Sequence, residues 1–179
     1  MPAAALAAPP ALQSLAHAIG LACGPGGVPD GPALLEALRA AVRAPGLLQR
    51  AHRAGSDAGY ARHVVHADPR DRFTVLALVW RPGQFSPVHW HHSWCAYAVV
   101  SGVLQETGYD WDEASGRATA SLQRERREGD ASFALAGSAR IHRLGNGGAR
   151  EAISLHVYGV AAGRITTGVN RIVESSAVG

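Results

Sequence analysis

Two histidines separated by a single residue are the strongest chemical signal in this sequence. His89 and His91 flank Trp90 in a stretch that is rich in valine and punctuated by glycine. If this stretch forms a β-strand, the spacing places both imidazoles on one face of the sheet. Two neutral imidazoles on one face form half of a transition-metal site, so the question becomes whether a third ligand joins them.

The glycines around this pair follow a defined spacing. Five residues separate Gly83 from His89, three separate His91 from Cys95, and six separate Cys95 from Gly102. This pattern resembles the first cupin motif, with the cysteine at the position where that motif usually has a glutamate ligand. The resemblance predicts that the histidine pair belongs to a metal site.

A second, looser pattern follows further along the chain. Gly129, Gly137, His142 and Asn146 resemble the second cupin motif, although Leu135 replaces its proline and the gap from glycine to histidine is two residues longer than usual. Three imidazoles add no charge to a divalent ion and leave coordination positions open. The predicted metal ligands are His89, His91 and His142.

A polar triplet near the end of the chain predicts a hydrogen-bonded relay. Ser154, His156 and Tyr158 alternate with Leu155 and Val157. On a strand, the three polar side chains share one face and the two apolar ones share the other. Buried polar groups need partners, and these three can satisfy one another.

Taken together, these features resemble the cysteine dioxygenase family of cupin thiol dioxygenases, and specifically its bacterial members of the arginine type. The resemblance extends over about residues 60 to 160, which is most of the predicted barrel. The segments that carry it are Tyr60-Ala61-Arg62, His89-Trp90-His91, Cys95, Gly102, Leu104-Gln105-Glu106-Thr107 with Asp110-Trp111, His142-Arg143, and Ser154-Leu155-His156-Val157-Tyr158.

The resemblance implies a mononuclear Fe(II) ion on the three histidines and the oxidation of a small thiol by O2 to its sulfinate. L-cysteine is the expected substrate, and 3-mercaptopropionate and mercaptosuccinate are the alternatives. Tyr158, supported by His156 and Ser154, is implied to stand beside the oxygen site. Arg62 is implied to bind the substrate carboxylate, with Tyr60 nearby, because guanidinium pairs with carboxylate through two hydrogen bonds.

Other residues are candidates for the same pocket. Arg164 and Arg171 are rivals to Arg62 as the carboxylate ligand, and a dicarboxylate thiol would need such a second cation. Trp94 is expected to line the pocket. Trp90 stands where the family commonly has an acidic residue, which leaves the identity of the thiol open.

Cys95 and Tyr158 raise one further expectation. In some family members the cysteine at this position is joined to the tyrosine by a thioether bond. Both residues are present here. We therefore expect a Cys95–Tyr158 crosslink, with a buried, unmodified cysteine as the alternative.

The bulk composition indicates a folded, globular protein rather than a disordered or nucleic-acid-binding one. The 179 residues are 47% hydrophobic and 17% charged, with a net charge of +3. All 17 basic residues are arginine, and only Arg124, Arg126 and Arg127 cluster, which argues against a nucleic-acid interface. Two distant cysteines exclude a disulfide framework. With no basic leader in residues 1–10 and no membrane-length apolar run, we expect a cytoplasmic protein.

The elements that must position these residues fall into two parts. Leu12, Leu15 and Ile19 predict a first helix at Pro10–Gly20, Asp30 is positioned to cap a second helix, and Pro45–Arg53 is a candidate third. From Tyr60 onward, short apolar segments separated by turns predict about eight strands. The predicted strands are Ala61–His66, Phe73–Trp80, Ala96–Val100, Leu104–Tyr109, Thr119–Glu125, Ala131–Leu135, Ala139–Arg143 and Ala152–Tyr158.

This pattern predicts a mainly β fold, a cupin jelly-roll barrel preceded by two or three α-helices. Residues 1–58 are predicted to form a helical segment that packs on the barrel of residues 59–179, within one domain. The expected partners are a thiol and O2, in a monomer or weak homo-oligomer. The alternatives from other classes are a non-catalytic cupin that binds a metal or small ligand, and a zinc or manganese cupin with isomerase or hydrolase activity.

Overall fold

The computed structural model describes residues 7–24 and 27–175, which contain two α-helices and ten β-strands. The helices are α1 (Pro10–Ala22) and α2 (Gly31–Arg43). The strands are β1 (Ala61–Ala67), β2 (Thr74–Trp80), β3 (His89–His91), β4 (Cys95–Ser101), β5 (Val103–Asp112), β6 (Arg117–Arg127), β7 (Ala131–Ala134), β8 (Gly137–Gly145), β9 (Ala152–Tyr158) and β10 (Asn170–Ile172). The ends of the predicted domain ranges, at residues 1–6 and 176–179, lie outside the described residues.

Both helices begin where their sequences predict. Helix α1 has Pro10 in its first turn, where proline costs no backbone hydrogen bond, and it buries Leu12, Leu15 and Ile19 on one side. The side chain of Asp30 caps α2 by accepting a hydrogen bond from the backbone N–H of Ala33 at 2.8 Å. The predicted third helix is reduced to a single 3₁₀ turn at Arg50–Arg53.

The strands form two five-stranded sheets, in the orders β1-β2-β9-β4-β7 and β10-β3-β8-β5-β6. Every pairing between neighbouring strands is antiparallel. The predicted fold class, a mainly β cupin jelly roll preceded by helices, is confirmed. Strands β1 and β7 are the edge strands of the first sheet, and β10 and β6 are the edge strands of the second.

The central strands of the first sheet are covered on both faces. Every residue of β2 and β9 is buried, because the helices pack on the outer face while the inner face looks into the barrel. Leu155 and Val157 belong to the outer core that contacts the helices. Tyr158, on the same strand, belongs to the inner one. The polar triplet therefore faces the barrel interior.

Two short strands were not among the eight predicted ones. Strand β3 contains only the His-Trp-His segment, and β10 pairs with it antiparallel through Arg171 and Trp90. Both have three residues, which is too short for a periodic pattern to reveal them. Among the described residues, we find no helix with the length and apolar character needed to cross a bilayer.

Candidate metal centre

The three predicted ligand histidines converge inside the barrel. His89 on β3 is the direct cross-strand partner of His142 on β8, and His91 lies two residues further along β3. One potential ligand atom from each of the three lies within 4.8 Å of the others. The ring centroid of His89 lies 4.8 Å from those of both His91 and His142, and the last two are 5.2 Å apart. This group is compact enough to bind one metal ion.

The Nδ1 atom of each of the three imidazoles lies within hydrogen-bond distance of a different partner. His89 Nδ1 lies 2.8 Å from the carbonyl oxygen of Pro87. His91 Nδ1 lies 3.2 Å from Cys95 Sγ. His142 Nδ1 lies 2.9 Å from a carboxylate oxygen of Glu106. When Nδ1 carries the hydrogen and donates to these acceptors, the lone pair of each ring is on Nε2 and is free to bind a metal.

Burial keeps the ligand pair on β3 neutral. Desolvation lowers the pKa of His89 to about 4 and that of His91 to about 2, and the neighbouring His142 adds to both shifts. The rings are therefore unprotonated at neutral pH, which is the form that binds metals.

Glu106 is the main residue that sequence reasoning missed. It lies in the stretch that resembles the dioxygenase family, yet it received no role. One carboxylate oxygen accepts from His142, and the other accepts from Arg126 Nε at 2.8 Å. Although burial opposes ionisation, the hydrogen bonds and charges of His142 and Arg126 lower the pKa of Glu106 to about 2. A permanently charged carboxylate thus orients the third ligand.

The polar triplet on β9 forms a relay that begins at Trp80. The indole Nε1–H of Trp80 donates to Ser154 Oγ at 2.9 Å, and Ser154 Oγ lies 2.9 Å from His156 Nε2. His156 Nδ1 lies 3.2 Å from the hydroxyl oxygen of Tyr158. Burial lowers the pKa of His156 to about 3, so its ring is neutral and carries one hydrogen.

One arrangement gives the hydroxyl hydrogen of Ser154 an acceptor within the relay. In this arrangement Ser154 accepts from Trp80 and donates its own hydrogen to His156 Nε2. The hydrogen of His156 is then on Nδ1 and is donated to the oxygen of Tyr158. This leaves the hydroxyl hydrogen of Tyr158 free to be donated into the cavity.

A cavity on the β1 side of the histidines, here called the Arg62 cavity, brings the predicted substrate residues together. Arg62 and Tyr60 line it with the three histidines, His156 and Tyr158. Arg62 Nη2 donates to the carbonyl oxygen of Ile165 at 3.1 Å, which orients the guanidinium. The Tyr60 ring stacks on Trp80, with their centroids 4.3 Å apart.

Two of the predicted substrate contacts lie elsewhere. Trp94 packs in the core between the first sheet and the helices, and its indole N–H donates to the carbonyl oxygen of Gly27 at 2.8 Å. Arg164 is exposed and its side chain packs beside Gly168. Neither lines the Arg62 cavity. In the structure the Trp94 side chain faces the helices and the Arg164 side chain faces solvent, so the predicted contacts of both with substrate stay predictions.

The outer face of β3 holds the other residues that were placed near the pocket. Trp90 and the exposed Arg171 line a groove with Trp111 on the outside of the second sheet. By strand alternation, Trp90 points away from its two histidine neighbours. Neither Trp90 nor Arg171 can therefore select the thiol by direct contact. His92 is exposed, and its ring lies 4.9 Å from that of Trp90.

Cys95 lies at the junction of the ligand set and the relay. It is the direct cross-strand partner of Tyr158, and its sulfur lies 3.2 Å from His91 Nδ1. Complete burial raises the pKa of its thiol to about 12, so the sulfur stays protonated. Cys95 and Cys23 are both free and buried.

Comparison with known proteins agrees with this geometry. A family model described as cysteine dioxygenase type I matches residues 50–165, which include all the residues of the site described above. The cysteine dioxygenases type 1 of Rattus norvegicus and Mus musculus are each 32% identical to this chain over 102 residues. These matches cover 55% of this chain and 50% of the relatives, so the chain spans about half the length of the curated relatives it matches.

Solved structures resemble the fold more distantly. The protein TT1209 from Thermus thermophilus has a TM-score of 0.47 at 22% identity, covering 62% of this chain and 92% of its own. A conserved protein with a double-stranded β-helix domain from Klebsiella pneumoniae has a TM-score of 0.49 at 20% identity, covering 69% of this chain and 92% of its own.

Proposed function

The chain belongs to the cysteine dioxygenase type I family, and from this we propose that it is a non-haem iron thiol dioxygenase. The proposed substrate is a small thiol that bears a carboxylate, with L-cysteine first and 3-mercaptopropionate or mercaptosuccinate as alternatives. In the reaction R–SH + O2 → R–SO2H, both oxygen atoms end on sulfur, so no external reductant is needed. We propose the cytoplasm as its setting.

The observation that supports this proposal most directly is a three-histidine group that shares one cavity with Arg62 and Tyr158. The donor set fits a ferrous ion, since imidazole is a ligand that suits iron and burial keeps His89 and His91 in the neutral form that binds metals. When bound there, Fe(II) would supply the activation of O2 and would bind the substrate as a thiolate.

Arg62 is proposed to bind and orient the substrate carboxylate. One of its terminal nitrogens already donates to Ile165, which leaves further N–H groups of the guanidinium for the ligand. A clamp of this kind fixes the sulfur at a defined distance from the histidines. That positioning is an orientation effect, and it excludes thiols that lack the carboxylate.

Tyr158 is proposed to donate a hydrogen bond to oxygen as negative charge develops there. Its hydroxyl hydrogen is free because its oxygen accepts from His156. Burial raises the pKa of Tyr158, so the phenol keeps its hydrogen at neutral pH. A neutral donor in a cavity shielded from water stabilises an anionic oxygen more than bulk water does.

We further propose that Cys95 and Tyr158 become joined by a thioether bond. The two residues are direct cross-strand partners on β4 and β9. Bond formation removes one hydrogen from sulfur and one from the ring, with O2 as the oxidant. We expect the intact mass to fall by about the mass of two hydrogen atoms and the loss to map to a Cys95–Tyr158 peptide. Alkylation of Cys95 in fully active enzyme would show that the crosslink is not needed.

Oxygen uptake tests the proposed activity. We expect iron-loaded protein to consume O2 with L-cysteine and to produce the sulfinate, with both oxygen atoms labelled when 18O2 is supplied. The zinc-loaded protein is the matched control and should consume none, because Zn²⁺ has no redox chemistry. If no thiol of the panel, including the two alternatives, stimulates uptake by iron-loaded protein, then the proposal is wrong.

Replacing Arg62 with alanine is expected to raise the KM for the thiol by about tenfold to a hundredfold, with a smaller effect on kcat. The reason is that Arg62 binds the carboxylate in the ground state as well as during the reaction. Arg164→Ala is the matched control, because Arg164 is exposed and lies outside the cavity. Steady-state kinetics with L-cysteine measure this change in KM. An unchanged KM in Arg62→Ala would show that Arg62 does not bind the carboxylate.

A further inference from the structure

A second cavity adjoins two of the three histidines, His91 and His142, at the opposite side of the barrel from Arg62. We call it the Arg124 cavity, because Arg124 on β6 and Arg140 on β8 line it. It shares His91, Cys95, Tyr97 and His142 with the Arg62 cavity. Arg62 lies on β1, at one edge of its sheet, whereas β6 is an edge strand of the other sheet. The two cavities therefore approach the same histidines from opposite directions.

The Arg124 cavity has an excess of positive charge. Arg124 is the direct cross-strand partner of Glu106, so it shares the inward face of its sheet with that residue. Glu106 nevertheless pairs with Arg126. Arg124 and Arg140 are exposed, and neither makes an ion pair or side-chain hydrogen bond with any residue in the described ranges. Two uncompensated guanidinium groups thus face one cavity.

The buried hydroxyl of Tyr97 also lines the Arg124 cavity. Tyr97 is 2% exposed, and its hydroxyl, which lies near the Glu106 carboxylate, makes no hydrogen bond of normal geometry with any described residue. Its ring stacks on His156 with a centroid distance of 5.3 Å and an interplanar angle of 19°, which fixes where the hydroxyl points. Buried hydroxyls are almost always hydrogen-bonded, so a ligand that offers an acceptor in the space that Tyr97 lines would complete its hydrogen bonding.

We propose that the Arg124 cavity is a binding site for a short dicarboxylate. One carboxylate would pair with Arg124 and Arg140, and the other would accept the hydrogen bond from Tyr97. Leu122 and Ile141 supply apolar walls for the short hydrocarbon chain between the two groups. Two guanidinium groups facing one cavity attract a doubly charged anion more strongly than a singly charged one. This site does not depend on the proposed thiol oxidation.

Calorimetric titration of the full-length protein with succinate tests the proposal. We expect one succinate per chain. Arg124→Gln and Arg140→Gln should each weaken binding by about tenfold or more, and Tyr97→Phe by about fivefold, since phenylalanine keeps the stacked ring and loses only the hydroxyl. Acetate should bind at least about tenfold more weakly than succinate, because it can reach only one of the two sets of donors. Because succinate has no thiol, the result is separate from the test of dioxygenase activity.

Two control variants test whether the weakening of succinate binding is specific to the Arg124 cavity. Arg127→Gln removes a charge from the outward face of the same strand, where Arg127 pairs with Glu125, and should leave succinate binding unchanged. Arg62→Gln should also leave it unchanged, because Arg62 lines the other cavity. The proposal is overturned by the absence of binding, by equal weakening in Arg127→Gln, or by loss of binding in Arg62→Gln alone.

Discussion

Replacing His142 with alanine is expected to remove bound metal and thiol-dependent oxygen uptake together, with activity falling by about a thousandfold or more. His142 is one of three described imidazoles whose ligand atoms lie within 4.8 Å of one another, so its loss leaves only the pair on β3. Two neutral ligands bind a divalent ion much more weakly than three do. Metal content by mass spectrometry and oxygen uptake, measured on the same preparation, test this expectation.

His92→Ala is the matched control for this experiment. His92 follows the ligand pair directly in sequence, but its side chain is exposed and lies against Trp90 on the outer face. We expect it to retain both metal and activity. Full metal content in His142→Ala would remove that residue from the ligand set, and loss of metal in His92→Ala would mean that the assignment of faces on β3 is wrong.

Glu106→Gln is expected to lower the affinity for metal by about tenfold to a hundredfold and to reduce activity in proportion at limiting metal. Glutamine keeps the size of the side chain and can still accept a hydrogen bond from His142. It loses the negative charge that makes His142 a stronger ligand and that pairs with Arg126. Titration with a competing chelator measures the affinity, and chemical unfolding of the metal-free protein separates this effect from lost stability.

The matched control is Glu125→Gln on β6. Glu125 also pairs with an arginine, but that pair, with Arg127, is exposed on the outer face and far from the histidines. Exposed ion pairs contribute little, so we expect wild-type affinity for metal. If Glu106→Gln and Glu125→Gln behaved alike, the carboxylate beside His142 would have no specific role in metal binding.

The sequence predicts the ligand group because local spacing carries most of the information. His89 and His91 face the same way on any strand, and His142 follows from the glycines around it. Glu106 could not be found in this way. Its contact with His142 depends on the register between β5 and β8, in which Gly108 is the direct partner of His142. Cross-strand register is a property of the folded sheets and leaves no local pattern.

The placement of Trp94 has a related cause. Its side chain lies within a few residues of the ligands, so proximity in sequence suggested proximity to the substrate. In the structure Trp94 instead donates to the carbonyl oxygen of Gly27, which precedes α2 by only a few residues. The sequence predicts a helical segment that packs on the barrel, but it does not show which face of the first sheet the helices cover.

The three ligand histidines are not electronically equivalent. Their Nδ1 groups face a carboxylate at His142, a peptide carbonyl at His89 and a thiol sulfur at His91. A more basic acceptor draws the Nδ1 hydrogen further from the ring and makes Nε2 the stronger electron donor. Electron donation to a bound ion therefore decreases from His142 to His89 to His91. The reduction potential of a metal ion bound at this site would therefore depend on three acceptors that the ion does not contact, and the Cys95 sulfur would have the weakest effect of the three.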